Sequence, residues 1–320
     1  MHRWNSLDEV PPAEAGTVAA LGNFDGVHRG HRAVLATVVA AARRRGARAV
    51  AVTFDPHPLA VLHPERAPEL LCGLQERLHR MAEAGLDGVL VMDFTRELAS
   101  WTPERFVRTV FVETLGVVEV VVGRDVRFGR GNAGDLGTLQ ELGRSCGFAV
   151  TALDDVSPEP ADGGDGVRPW SSTRVRRDLG AGAVDHAAAV LGRPHRVVGT
   201  VVHGDHRGRE LGYPTANLSA EAEGVVPADG VYAGWLVRLD AEGPDARLPA
   251  AVSVGTNPTF DGVQRRVEAY ALDRTGLDLY GERVAVEFTH RLRPTLRFDG
   301  VEALVAQMAR DVEQCRRLLA

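Results

Sequence analysis

At 320 residues, with 44% hydrophobic and 25% charged residues, the chain has the length of two globular domains and lacks the bias of a disordered or fibrous protein. Its net charge of -6 excludes a global basic field for nucleic acid or membrane, no apolar run reaches membrane length, and the polar segment 1–12 has no secretory signal core, so a cytoplasmic protein is expected. All 37 basic residues are arginine, which excludes a lysine-dependent P-loop, and Cys72, Cys146 and Cys315 have neither disulfide-framework nor zinc spacing.

The first half alternates. Apolar runs at 17–21, 48–54, 87–94, 118–122 and 148–153 predict strands, and stretches near 29–45, 74–85, 103–115 and 134–145 predict helices. That alternation predicts an α/β fold with a doubly wound parallel sheet, in which ligands sit at the carboxyl ends of the strands. Residues 155–170 are rich in Asp, Gly and Pro and read as a surface loop. Ser171 to Arg177 opens a helical segment, and a second runs from 184 to 191. The period then changes. Runs at 196–203, 230–239, 249–255, 265–273 and 283–291 predict strands without intervening helices, hence an antiparallel sheet or small barrel. An amphipathic helix over 300–319, with Val301, Leu304, Val305, Met308 and Val312 on one face, is expected to pack on the barrel. The change of period sets the domains at 1–186 and 187–320.

Four pieces of the first half carry chemistry. Gly22 to His31 reads GNFDGVHRGH, between a strand and a helix. A helix N-terminus offers unpaired N–H groups and partial positive charge to an anion. Two imidazoles there, His28 and His31, make a site that holds a phosphate while negative charge builds on it. The others are Thr53 to Pro58, Gly123 to Gly129 with Asp125, and Ser171 to Arg176, where hydroxyls and arginines at a helix start suit a triphosphate. Each follows a strand or opens a helix, so all are placed to converge on one sheet edge. Simpler roles stay open: His57 between two prolines as a turn former, Asp125 as a cap or turn residue, and Ser171 to Thr173 as an N-cap.

The His-x-Gly-His pattern resembles the nucleotidylyltransferase signature. In sequence and order, Gly22 to His31, Thr53 to Pro58, Val122 to Gly134 and Ser171 to Arg176 are similar to the adenylyltransferase module of bacterial FAD synthetases, which has a Rossmann-like fold. Val126 departs from the usual aromatic residue, and Trp170 from a smaller apolar one. The resemblance implies that the FMN phosphate attacks the α-phosphorus of ATP, with His28 and His31 stabilising the transition state. It places Gly22, Asn23, Phe24, Asp25, Gly30 and Asp125 in the ATP site, with Ser172, Thr173 and Arg176 on the β- and γ-phosphates.

In the second half, a Gly-rich charged loop from Gly204 leads through Gly212 to Pro214-Thr215-Ala216-Asn217. Thr215 and Asn217 share one face in extended chain and offer neutral oxygens that suit Mg²⁺ carrying phosphate; a turn with self-bonding Thr and Asn remains the alternative. Glu268 lies on the face opposite Val267 and Ala269. Inside a barrel it could act as a base; facing solvent it would be an ordinary surface residue. The runs 192–194, 204–217, 229–232, 255–260, Glu268, 279–281 and 292–294 resemble riboflavin kinase. From about 15 to 319 the chain is similar to bifunctional riboflavin kinase/FAD synthetases. That resemblance implies Gly212, Pro214, Thr215 and Asn217 binding ATP, Thr215 and Asn217 binding Mg²⁺, and Glu268 as catalytic base. The implied partners are riboflavin, FMN and ATP, with no nucleic acid or membrane and room for a transient homo-oligomer. Action on a flavin analogue, or a retired scaffold that senses flavin or nucleotide, stays open as an alternative.

Overall fold

A computed structural model describes residues 1–154, 170–204, 211–259, 262–274 and 276–320. The expected surface loop, apart from Trp170, and residues 205–210 of the Gly-rich loop lie outside the described residues. The chain forms two compact units, Met1–Pro68 with Leu74–Ser171, and Glu69–Gly73 with Ser172–Ala320. The units part at 171/172, fifteen residues before the boundary expected from the change of period.

The first unit is built on six parallel strands: β1 (His2–Trp4), β2 (Thr17–Leu21), β3 (Arg48–Asp55), β4 (Gly88–Asp93), β5 (Val117–Gly123) and β6 (Ala149–Leu153). Their order is β1-β4-β3-β2-β5-β6. The continuous apolar runs make sense because both sheet faces are covered. Ala19, Val50, Val52 and Leu90 pack with Phe106, Phe111 and Leu139 on one face. Val18, Ala20, Ala49, Ala51 and Val89 pack with Leu35, Val38 and Met81 on the other. The helices are α1 (Arg29–Arg45), α2 (Pro58–Leu62), α3 (Leu74–Ala82), α4 (Arg96–Ala99), α5 (Pro103–Phe106) and α6 (Leu136–Cys146). From β2 the chain proceeds to β3 on one side, while β5 lies on the other. The ends of β2 and β5 therefore flank the switch point where such sheets hold ligands.

The short helices α2 and α4 are additions to the expected pattern, and two further elements differ from it. β1 adds an edge strand from the polar N-terminal segment, and its Trp4 ring fills the space a Cβ on Gly88 would occupy. The expected helix 103–115 starts as α5 and continues as a π-helix over Val107–Thr114, with Leu115 N–H donating to the Val110 carbonyl (3.1 Å). Its Val107, Val110 and Phe111 are fully buried.

The second unit contains α7 (Ser172–Gly180), α8 (Val184–Leu191) and six antiparallel strands: β7 (His195–Val202), β8 (Ala216–Leu218), β9 (Gly230–Arg238), β10 (Arg247–Thr259), β11 (Gly262–Ala271) and β12 (Arg283–Arg293). They close a barrel in the order β10-β11-β8-β7-β12-β9. Val201, Ala216, Tyr232, Val252, Val267 and Ala269 are buried on its inner face. The terminal helix α9 (Val301–Leu319) packs on the barrel through Val312 and Cys315, against Ala233 and Leu272. The buried Asp311 is held by Arg293 of β12 (2.7 Å). Val301 stays 62% exposed, so the anchoring lies in the second half of the helix. No helix among the described residues is long and apolar enough to cross a membrane.

Candidate active sites

At the carboxyl end of β2 the chain turns through Gly22, Asn23, Phe24 and Asp25 into α1. Phe24 (φ 50°) and Gly26 (φ 74°) take the left-handed conformation that tightens this turn. Asp25 is buried within it. His28 is the N-cap of α1, its Nδ1 accepting from the His31 N–H (3.3 Å). A neutral imidazole that accepts at Nδ1 carries its proton on Nε2, so His28 offers an N–H donor at a helix N-terminus. The His28 and His31 rings stack with centroids 3.6 Å apart, and the Phe24 ring meets His31 edge-on at 5.3 Å. Burial, and then the neighbouring His28, push the His31 pKa well below its usual value, so its ring is neutral at neutral pH. His31 Nδ1 is shielded and has no hydrogen-bond partner among the described residues. A Cβ on Gly30 would stand 3.1 Å from the His28 ring and 3.6 Å from the Trp170 carbonyl. The glycine thus spares the His28 ring a tight contact, while the Trp170 carbonyl lies at ordinary van der Waals distance. The Trp170 ring lies 5.6 Å from the Arg29 guanidinium.

The end of β3 joins this turn. Thr53 Oγ1 donates to the Asn23 carbonyl (3.2 Å), and the Asn23 amide lies 3.3 Å from His57 Nε2. His57 Nδ1 accepts from the Leu59 N–H and caps α2, so its turn-forming role is real and coexists with its place beside Asn23. At the end of β5, Asp125 is exposed in a turn closed by Val126 N–H on the Gly123 carbonyl (3.2 Å). Val126 packs on the apolar layer that contains Phe106 and Phe128.

Ser172, Thr173 and Arg176 belong to the second unit. Thr173 is exposed, Ser172 is half-buried, and Arg176 Nε donates to the Glu69 carbonyl (2.7 Å).

On the barrel, Asn217 of β8 pairs directly with Glu268 of β11. Both lie on the outer face, opposite the buried Ala216, Val267 and Ala269. Glu268 is neither inside the barrel nor a plain surface residue: the Thr215 hydroxyl donates to its carboxylate (3.4 Å). Asn217 Nδ2 donates to the Thr215 carbonyl and hydroxyl (3.2 and 3.3 Å), which turns its amide oxygen away from Thr215. The local self-bonding foreseen for Thr and Asn is therefore present, within a cluster that gathers three oxygen-bearing side chains. A hydroxyl, an amide oxygen and one carboxylate are hard donors that fit Mg²⁺. Gly212 (φ 86°) and Pro214 are the exposed entry to β8. The root of the Gly-rich loop is fixed by His203, whose ring stacks on Tyr280 at 3.9 Å.

A family model for FAD synthetase matches residues 10–162, and one for riboflavin kinase matches residues 191–319. The bifunctional riboflavin kinase/FMN adenylyltransferase of Escherichia coli (strain K12) is 38% identical over 307 residues, 96% of this chain and 93% of that protein. The chain belongs to the bifunctional riboflavin kinase/FMN adenylyltransferase family. Its relative from Pseudomonas fluorescens is 39% identical over 98% of this chain and 96% of its own length. A crystal structure titled as a macrolide-efflux protein from Streptococcus pneumoniae has the same fold, with a TM-score of 0.85, 31% identity and 98% of each chain covered.

One residue beside the adenylyltransferase-type turn gave little sequence signal. Arg77 of α3 is 3% exposed and donates to the Asn23 carbonyl (3.0 Å) and to Asp55 (3.2 Å). It occupies a position in the buried stripe formed by Leu78 and Met81. An arginine at such a position is the only hint that the sequence offers.

Proposed function

We infer that this chain phosphorylates riboflavin to FMN at the barrel site and adenylylates FMN to FAD at the histidine site. The stacked His28/His31 pair at the start of α1 is the observation that carries the second activity. There an FMN phosphate oxygen attacks the α-phosphorus of ATP, a P–O bond forms, and pyrophosphate leaves. Negative charge spreads over the five-coordinate phosphorus. The His28 Nε2–H and the first N–H groups of α1 are fixed donors that stabilise it without reorganising. His31 is kept neutral by its surroundings and backs the His28 ring. Gly22, Asn23, Phe24, Asp25, Gly30 and Asp125 shape the nucleotide site.

On the outer face of the barrel, Glu268 takes the proton of the riboflavin 5′-hydroxyl as that oxygen attacks the γ-phosphorus of ATP, and ADP leaves. Thr215 and Asn217 would hold Mg²⁺, which when bound neutralises phosphate charge. The Thr215 hydroxyl orients the Glu268 carboxylate, and Gly212 and Pro214 shape the ATP approach. The test is purified protein with riboflavin, ATP and Mg²⁺, followed by chromatography. FMN and then FAD are expected; flavin binding without turnover would favour the retired scaffold.

A further inference from the structure

Arg77 is costly where it stands. A buried guanidinium forfeits its hydration, and its Nε has no hydrogen-bond partner among the described residues. A leucine or methionine would suit a helix stripe that serves packing alone. What Arg77 gains instead are two contacts at the carboxyl ends of neighbouring strands. Nη1 holds the Asn23 carbonyl after β2, and Nη2 holds Asp55 at the end of β3. The Asn23 carbonyl also accepts from Thr53, so two donors fix the plane of the Asn23–Phe24 peptide. In a trans peptide the N–H points opposite to the carbonyl, so the Phe24 N–H faces away from Arg77.

The next residue is the consequence. Phe24 has φ 50°, a conformation that a bulky side chain keeps only where its surroundings over-determine it. With that backbone its ring packs against His31, and His31 stacks on His28. A continuous physical path therefore leads from Arg77 through the Asn23 carbonyl and the left-handed Phe24 to the histidine pair.

We propose that Arg77 is a positioning residue for FMN adenylylation, holding the Asn23–Phe24 peptide so that the Phe24 ring fixes His31 and His28 in register. This rests on the histidine pair carrying that reaction. Arg77→Met removes both contacts, and Arg77→Lys keeps the charge but not the two-pronged geometry. Adenylylation of FMN and phosphorylation of riboflavin are measured on the same full-length preparations, together with melting temperature. Misplacing a reacting group by about 1 Å costs roughly a hundredfold, so Arg77→Met should lower the adenylylation kcat by about that factor. KM should change by roughly threefold or less, since the lost interaction acts on the transition state. Riboflavin phosphorylation should be unchanged, and Arg77→Lys should recover part of the lost kcat. An adenylylation kcat within about twofold of wild type, with only the melting temperature lowered, overturns the proposal. So does an equal loss of both activities in a folded variant. If Arg77→Met fails to fold, Thr53→Val removes the other donor to the same carbonyl and should lower kcat about tenfold; an unchanged kcat there also overturns it. A wild-type protein that makes FMN but no FAD would overturn the functional reading of the histidines, and the proposal with it.

Discussion

The carboxamide of Asn217 fills the space in which a Cβ on residue 204 would stand, 2.6 Å from the Asn217 Cγ. Gly204, two residues past the end of β7, therefore lies against the metal-ligand candidate itself. Gly204→Ala must displace the Asn217 side chain, because contacts this short are not tolerated. The expected result is an increase of about tenfold in the kinase KM for Mg²⁺–ATP, with a smaller change in kcat. Steady-state kinetics of riboflavin phosphorylation check it, with Asn217→Ala as the partner in a double-mutant cycle. Two residues in contact should show non-additive effects. Additive losses, or an unchanged KM, would show that the contact does not matter to nucleotide binding.

Substitution of the histidines separates the two reactions. Loss of one preorganised donor costs about a hundred- to a thousandfold, so His28→Ala should lower FAD formation from FMN on that scale. His31→Ala removes the ring stacked on His28 and should also impair the reaction. FMN formation should be nearly unchanged in both. Parallel loss of the two activities would mean that the pair sustains the fold of the chain rather than chemistry.

Much of this was legible in the residues because burial on both sheet faces leaves continuous apolar runs. β2 and α1 have the expected limits, and β3 to β6 differ by a residue or so at their ends. β8 is three residues long and too short for periodicity, so its Ala216–Leu218 read as turn or extended chain. The alternation of residues leaves the face of Glu268 open for a different reason. Alternation relates Glu268 to Val267 and Ala269, but only closure of the barrel says which face is inside. Closure also brings Glu268 beside Asn217, a pairing of residues 51 apart that no local pattern encodes. Arg77 carries little local signal because its partners are a carbonyl and a carboxylate on other elements.

Glu268→Gln tests the proposed base. It preserves shape and hydrogen bonding to Thr215 but removes basicity. Loss of a general base costs about 10²–10⁴ in rate, so the kinase kcat should fall within that range. Flavin affinity should be little changed, and FAD should still form from supplied FMN. A Glu268→Gln protein with full kinase activity would remove this carboxylate from the proton transfer.

The division of the chain bears on where a working kinase fragment begins. Val175, Leu179 and Val184 are fully buried in the barrel unit, and the Ala228 N–H donates to the Leu179 carbonyl (3.0 Å). Burial of such side chains contributes about 2 kcal/mol each. A fragment of 172–320 should fold and phosphorylate riboflavin. A fragment of 187–320 cuts α8 and loses all three side chains, and should be markedly less stable in urea. Equal stability of the two fragments would show that α7 and the start of α8 are dispensable to the barrel.

His195 gives the barrel a dependence on pH. It is 3% exposed and its Nε2 donates to the Val225 carbonyl (2.7 Å). Burial is the main cause that pushes its pKa down to about 4, outweighing the carbonyl contact, which favours the charged form; nearby Arg193 lowers it further. In the unfolded chain the ring titrates near 6.5. Between these values the unfolded state binds the proton and the folded state does not, so acid favours unfolding. The contribution of His195 is therefore complete above about pH 6.5 and is lost as pH falls towards 4. Over that span it amounts to about 3 kcal/mol. His195→Gln keeps a donor for the Val225 carbonyl but cannot titrate. Urea midpoints of wild type and variant, measured from pH 7.5 down to pH 4.5, should converge as the pH is lowered. The variant should be the less stable of the two at neutral pH and the flatter in its response. Parallel curves across the range would show that His195 is not the group through which acid acts.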